Sequence, residues 1–156
     1  MKYFTGDLWE KLQTYNTRKK AQELWDENCK LYKSELEKIR EVLPKGFLKI
    51  FYKENGFHDY IIRGIEIESV KRKTKPELIN VTVKLCSGDK QYFLLLKNIE
   101  KTIINISDMS YCIRGRLTWG YSEFEVLKNG KIKLSILCDV KNELEFVFNK
   151  ISIEQS

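Results

Sequence analysis

Proline and histidine are nearly missing from this chain, with two of the former and one of the latter in 156 residues. So little proline, together with only eight glycines, excludes a collagen-like or proline-rich linker architecture. A single histidine leaves no His-Glu-x-x-His helix and no Cys/His cluster. A zinc or iron centre therefore lacks its ligands, and no cofactor is expected. The four cysteines, Cys29, Cys86, Cys112 and Cys138, stand far apart and form no Cys-x-x-Cys pair. Disulfide frameworks belong to much smaller secreted chains, so these read as reduced, mostly buried thiols. Long apolar runs are missing too. The longest, Tyr92 to Leu96, is far short of the ~20 residues that cross a bilayer. The opening Met1-Lys2-Tyr3-Phe4-Thr5-Gly6-Asp7 has neither an apolar core nor a small-residue cleavage site. The expectation is a cytoplasmic protein without a membrane segment. Phosphate-binding loops of the Gly-x-x-x-x-Gly-Lys-Ser/Thr and Gly-x-Gly-x-x-Gly types do not occur.

What is present suffices for one folded domain spanning 1–156. Apolar residues make up 42% and charged ones 32%, enough for a core and too apolar for a disordered chain. Lys and Arg number 28 against 22 Asp and Glu, a net charge of +6. That excess is compatible with nucleic acid or an acidic partner and requires neither.

The first part of the chain, 1–53, reads as mainly helical. Asp7 with Glu10 three residues on has the spacing of a capping box, and Leu8, Trp9 and Leu12 supply an apolar side. Asn16-Thr17 interrupts this helix and starts the next. From Arg18 to Leu43, Ala21, Trp25, Cys29, Tyr32, Leu36, Ile39 and Leu43 recur at steps of four and three, the stripe of a long amphipathic helix. Pro44 and Gly46 stop it, and Phe47 to Tyr52 fits either a short helix or a strand. After Asn55-Gly56 the period changes to two. The stretch 57–153 reads as an antiparallel sheet of five to seven strands, covered by the long helix, which defines an α+β fold. Ile79, Val81, Val83 and Leu85 alternate with polar residues. Ser87-Gly88-Asp89 turns the chain into Tyr92, Leu94 and Leu96, with Phe93 and Leu95 covered on the other face. Asn129-Gly130 between 123–127 and 131–138 is the strongest hairpin signal, since both residues accept positive φ. Leu144, Phe146 and Phe148 form the last strand. Internally, Ile79-Val81-Val83-Leu85 with Tyr92-Leu94-Leu96-Ile99 echoes Ile132-Leu134-Ile136-Cys138 with Leu144-Phe146-Phe148-Ile151. Both copies shift phase before the final isoleucine, as a bulge would make them do. A duplicated β-meander and the general likeness of any two hairpins both account for the echo.

Residues that carry chemistry are sparse. His58 and Asp59 form the one His-Asp pair, readable as a hydrolase centre or as a strand opening whose ring is bonded to backbone or to Asp59. The carboxylates Glu66, Glu68, Glu123, Glu125, Glu143 and Glu145 occupy alternate strand positions, where solvent-facing charge is the ordinary explanation. Lys71-Arg72-Lys73-Thr74-Lys75 forms a basic loop before Pro76, and Arg18-Lys19-Lys20 opens the long helix. Either cluster can touch phosphates. The absence of a recognition motif and of interleaved aromatics argues against nucleic acid. Asn105 to Thr118 reads as a long loop carrying Tyr111, Cys112, Arg114 and Arg116, and long loops in compact domains are disproportionately functional. The candidate binding residues are Tyr111, Arg114, Arg116, His58 and Asp59; no catalytic or metal residues are assigned.

Several short motifs run together along most of the chain. These are Met1-Lys2-Tyr3-Phe4-Thr5, Leu8-Trp9, Gln13, Leu24-Trp25-Asp26, Leu43-Pro44, Phe57-His58-Asp59, Tyr121-Ser122-Glu123-Phe124-Glu125 and the Phe146-Phe148 strand. As an ensemble they resemble a bacterial domain-of-unknown-function family of small cytosolic proteins, a resemblance that implies no particular activity. The His-Asp strand opening followed by meanders is also similar to immunity proteins of toxin systems, by analogy of fold. The leading expectation is a non-catalytic module that binds another protein. The alternatives are an immunity protein, a nucleic-acid binder through 71–75, and a hydrolase centred on His58. Composition sets no oligomeric state.

Overall fold

Three helices precede all the strands in the computed structural model, which describes residues 1–111 and 115–156. Helix α1 spans Gly6–Gln13, and its N-cap is Thr5, whose Oγ1 accepts from the Leu8 N–H at 3.3 Å. Asp7 lies inside the first turn and pairs with Lys11 instead of capping, one turn along the same face. Helix α2 spans Arg18–Ile39, four residues less than the apolar stripe, because the chain turns at 40–43 ahead of Pro44 and the Val42 and Leu43 N–H groups both donate to Ile39 O. A residue before proline is pushed out of the helical region, so Leu43 cannot prolong the helix. Pro44 is also the N-cap of helix α3, Lys45–Lys53, which settles Phe47–Tyr52 as helix.

A 3-10 turn at Asn55–Phe57 leads to nine strands among the described residues. They are β1 Tyr60–Val70, β2 Leu78–Ser87, β3 Lys90–Lys97, β4 Lys101–Ile106, β5 Thr118–Trp119, β6 Tyr121–Val126, β7 Ile132–Leu137, β8 Asn142–Phe148 and β9 Lys150–Gln155. All pair antiparallel, in two sheets of order β5-β1-β2-β3-β9 and β4-β8-β7-β6. The fold is α+β, helices first and antiparallel sheet after.

Two expectations are corrected here. The strand count exceeds five to seven, and the strand 142–148 is followed by another. The long helix α2 packs against β6. The two sheets cover each other. Strand β3 continues into β4 through Asn98–Glu100, and β8 into β9 through Asn149, so one bent two-stranded ribbon serves both sheets. On the opposite side β5 continues into β6 through Gly120, whose N–H donates to Leu137 O at 3.0 Å. The hydrogen-bonded surface thus closes on itself as a barrel of six bent strands, which removes most of the edges an open sheet would expose. Its interior is packed by residues of both sheets, among them Val81, Val83, Leu85, Leu94, Leu96, Leu134, Ile136, Leu144, Phe146 and Phe148. Phe93 and Leu95 face outward and are half-buried rather than covered.

The barrel is two three-stranded meanders, β1-β2-β3/β4 and β5/β6-β7-β8/β9, related by an approximate two-fold. The pairings show it: β3 takes β9 and β8 takes β4, while β1 takes β5. The sequence echo falls on equivalent hairpins, β2-β3 and β7-β8, and each breaks phase at an asparagine, Asn98 or Asn149, before its last isoleucine.

Closure depends on Gly120. A Cβ there would sit 2.6 Å from Leu137 O and 3.1 Å from the Trp9 ring of α1. The backbone oxygen cannot yield without losing the ladder. Gly120→Ala is expected to cost about 2–3 kcal/mol, the scale of an overpacked core, measured as a lower urea midpoint at unchanged m-value.

Candidate protein-interaction surface

The residues singled out in the sequence do not converge. His58 and Asp59 stand at the head of β1. His58 Nδ1 is 3.1 Å from Asp59 Oδ2, and the imidazole meets the Tyr121 ring edge-on at 4.9 Å between centroids. Asp59 has φ of 67° and its N–H donates to Trp119 O at 2.8 Å, so the pair starts the β1-β5 ladder. Of the 105–118 segment, Asn105 and Ile106 belong to β4 and Met109–Tyr111 form a 3-10 turn. Arg116 is exposed, while Arg114 and Cys112 lie outside the described residues. The segment is anchored by buried Asn142, whose Oδ1 accepts from Ser107 N–H (2.9 Å) and Asp108 N–H (3.2 Å) and whose Nδ2 donates to Asp108 O. The basic residues 71–75 form the tip of the β1-β2 hairpin, where both Nε and Nη2 of Arg72 donate to Pro76 O. Cys29 is exposed, and Cys86 and Cys138 are buried. Among the described residues no group of His, Cys, Asp and Glu could hold a metal ion, and no helix is long and apolar enough to cross a membrane.

Among the buried carboxylates, Glu54 and Glu123 hold the scaffold together in ways that the sequence reading does not show. Glu54, just after α3, is only 6% exposed and accepts from Tyr60 Oη (2.6 Å), Tyr92 Oη (2.9 Å) and Lys90 Nζ (2.7 Å). The Lys90 hydrogen bond, followed by that of Tyr60, holds its carboxyl down at about 2. The chain after it passes through positive φ at Asn55, Gly56, Phe57 and Asp59, which delivers Phe57 fully buried against Tyr60, Tyr92 and Trp119. Glu123, read as solvent-facing, is buried on the outer side of β6. Its two oxygens accept from the backbone N–H groups of Lys2, Tyr3 and Phe4, each at 2.7 Å. Tyr32 Oη, from α2, accepts from the neighbouring Phe124 N–H at 2.8 Å. Helices α1 and α2 are thereby fixed against β6 over a second cluster of Phe4, Leu8, Ala21, Trp25 and Tyr32.

Helices cover one half of the barrel and leave its counterpart bare. Val81 and Leu134 are equivalent in the internal echo. Ile67 lies opposite Val81, and Phe124 lies opposite Leu134, so Ile67 and Phe124 are equivalent as well. Phe124 is 2% exposed, with the Phe47 and Phe51 rings of α3 at 5.6 and 5.5 Å; Ile67 is 58% exposed. The next pair repeats this: Ile132 is 3% exposed and its counterpart Ile79 is 37%. Directly opposed residues of an antiparallel pair share a face. Ile104, opposite buried Leu144, and Ile106, opposite buried Asn142, therefore also belong to the interior face, yet both are exposed. The Ile99 N–H donates to Ile79 O, and beyond that bond β4 pairs only with β8 among the described residues while the β1-β2 hairpin runs on alone. One mouth of the barrel is filled by α3, and the equivalent one is lined by exposed isoleucines.

Comparison with protein-family models, with curated proteins and with solved structures finds no match.

Proposed function

We propose that the protein is a non-catalytic module that binds another protein at this open mouth. The observation that carries the reading is the exposure of Ile67, Ile79, Ile104 and Ile106 at positions whose barrel face is meant for burial. Scattered surface isoleucines need no explanation, but several at one end of a barrel mark an interaction surface. Covering the accessible half of four such side chains is worth about 3–6 kcal/mol, a useful share of a binding free energy. The His58-Asp59 pair is absorbed in the strand opening and its ring contact with Tyr121, and the basic hairpin tip is flanked by Glu68 and Glu77, of which Glu77 accepts from Ser69. An immunity role, with a toxin as the partner, is one form of this reading.

The test is affinity capture from native-host lysate with the wild type, the Ile67→Glu/Ile104→Glu variant, and a control, Leu24→Glu, on the exposed side of α2. All three positions are exposed, so folding is expected to survive and is checked by circular dichroism. A partner retained by wild type and control, and reduced at least tenfold by the double variant, supports the reading. Equal retention by all three, or loss with the control alone, overturns it.

A further inference from the structure

Resting on the interaction reading, we propose that the occupant of the open mouth is an amphipathic α-helix of a partner protein, with a bulky apolar face and an acidic outer face. The molecule carries its own precedent. The equivalent mouth is closed by α3, which sets Phe47, Leu48 and Phe51 into the barrel core and packs along β9. Those side chains stand at i, i+1 and i+4, one face of a helix, with Lys45, Lys49 and Lys53 toward solvent. Phe47 and Phe51 meet Phe124, whereas its counterpart Ile67 is 58% exposed. What is bare is the interior face of strands, the kind of surface that demands a further packed layer; a strand adding to the β4 edge would leave Ile67 and Ile79 uncovered.

The charge of the occupant follows from the rim. The hairpin tip beside Ile67, Val70 and Ile79 carries four exposed cations, Lys71, Arg72, Lys73 and Lys75, against the two flanking carboxylates Glu68 and Glu77, and stays net positive. A lysine-faced helix like α3 would meet like charge there. The net charge of +6 likewise disfavours a second copy of this chain as the occupant.

The experiment uses three synthetic probes and the full chain. The first is a helix-stapled peptide with the residues of α3 in which the three lysines are replaced by glutamate. The second keeps the lysines. The third is an unstapled extended peptide, Glu-Thr-Ile-Ile-Asn-Ile-Glu, able to pair with the β4 edge. Binding is followed by fluorescence polarisation and by amide chemical shifts. The expected result is saturable binding of the acidic helix with shifts at 65–70, 78–81 and 101–106. Binding should weaken at least tenfold in Ile67→Glu. It should weaken about threefold to tenfold for the lysine peptide or for Lys71→Ala/Lys73→Ala/Lys75→Ala, and fall with added salt. No saturation by about 1 mM, shifts outside the mouth, or preference for the extended peptide overturns the helix proposal. If capture depends on Ile67 and Ile104 but the helix probe fails, the interaction reading stands and the helical occupant falls. If the helix probe binds but capture is unaffected by the double variant, the interaction reading falls. Concentration-dependent dimerisation of the chain through the same residues overturns the proposed occupant in favour of a second copy.

Discussion

Glu54→Ala is expected to lower stability by roughly 3–5 kcal/mol, the range found when one partner of a buried charged network is removed. Two buried phenols would lose their common acceptor, and an unsatisfied buried group alone costs about 1–3 kcal/mol. Tyr60 and Tyr92 are 5% and 1% exposed, so water has little access to replace the carboxylate. For a domain of this size the loss corresponds to a fall in Tm of about 6–20 °C, measurable by calorimetry. Glu54→Gln keeps an acceptor for one tyrosine and should fall between the two. The pH dependence separates charge from geometry. The native carboxyl is held at about 2, below its ordinary 4.5, by Lys90 first and Tyr60 next. A depressed native pKa means that the unfolded state binds the proton first. The stabilisation is therefore fully present above about pH 4.5 and is lost as the pH falls toward 2. The wild type should lose stability steeply across that window, and Glu54→Gln should lose much less. Equal slopes in the two proteins would remove the carboxylate from this role.

Glu123→Ala is expected to cost about 2–4 kcal/mol, because three backbone donors, those of Lys2, Tyr3 and Phe4, lose a charged acceptor together. The effect should be local in origin. Without the carboxylate the N-terminal segment loses its hydrogen-bonded anchor on β6, and Phe4 is expected to leave its ring contacts with Trp25, Tyr32 and Tyr121. Limited proteolysis should then cleave within the first residues while the barrel stays intact. Tyr32→Phe, which leaves the Phe124 N–H unpaired, should cost less, about 1–3 kcal/mol, with the N-terminus still protected. Unchanged proteolysis in Glu123→Ala would show that the aromatic cluster alone holds the segment.

Where side chains repeat with a clean period, the sequence was legible. The apolar stripe of α2 and the alternation in β2, β3, β7 and β8 mark those elements, and Asn129-Gly130 sits where the chain turns, with Gly130 at φ of 78°. Strand β4 is not legible, because Lys101-Thr102-Ile103-Ile104-Asn105-Ile106 does not alternate, and its last two residues read as the start of a loop. That strand carries two of the four isoleucines of the open mouth. Closure of the barrel was equally hidden, since it rests on pairings between residues far apart, such as Leu96 with Ile151 and Tyr60 with Trp119. The roles of Glu54 and Glu123 were invisible for the same reason. Glu54 depends on Tyr92 and Lys90, some forty residues on, and Glu123 on backbone donors at the other end of the chain. A strand carboxylate looks solvent-facing until the segment that covers it is known. The internal echo, by contrast, marked the hairpins whose comparison exposes the difference between the two mouths.

Amide hydrogen exchange of the full chain, free and in complex with its captured partner, tests the central claim most directly. The account predicts new protection confined to 65–70, 78–81 and 101–106, with the α1–α2 surface and the His58-Asp59 strand opening unchanged. Protection centred on α1 and α2, or around His58, with the isoleucine mouth exchanging as in the free protein, would contradict it.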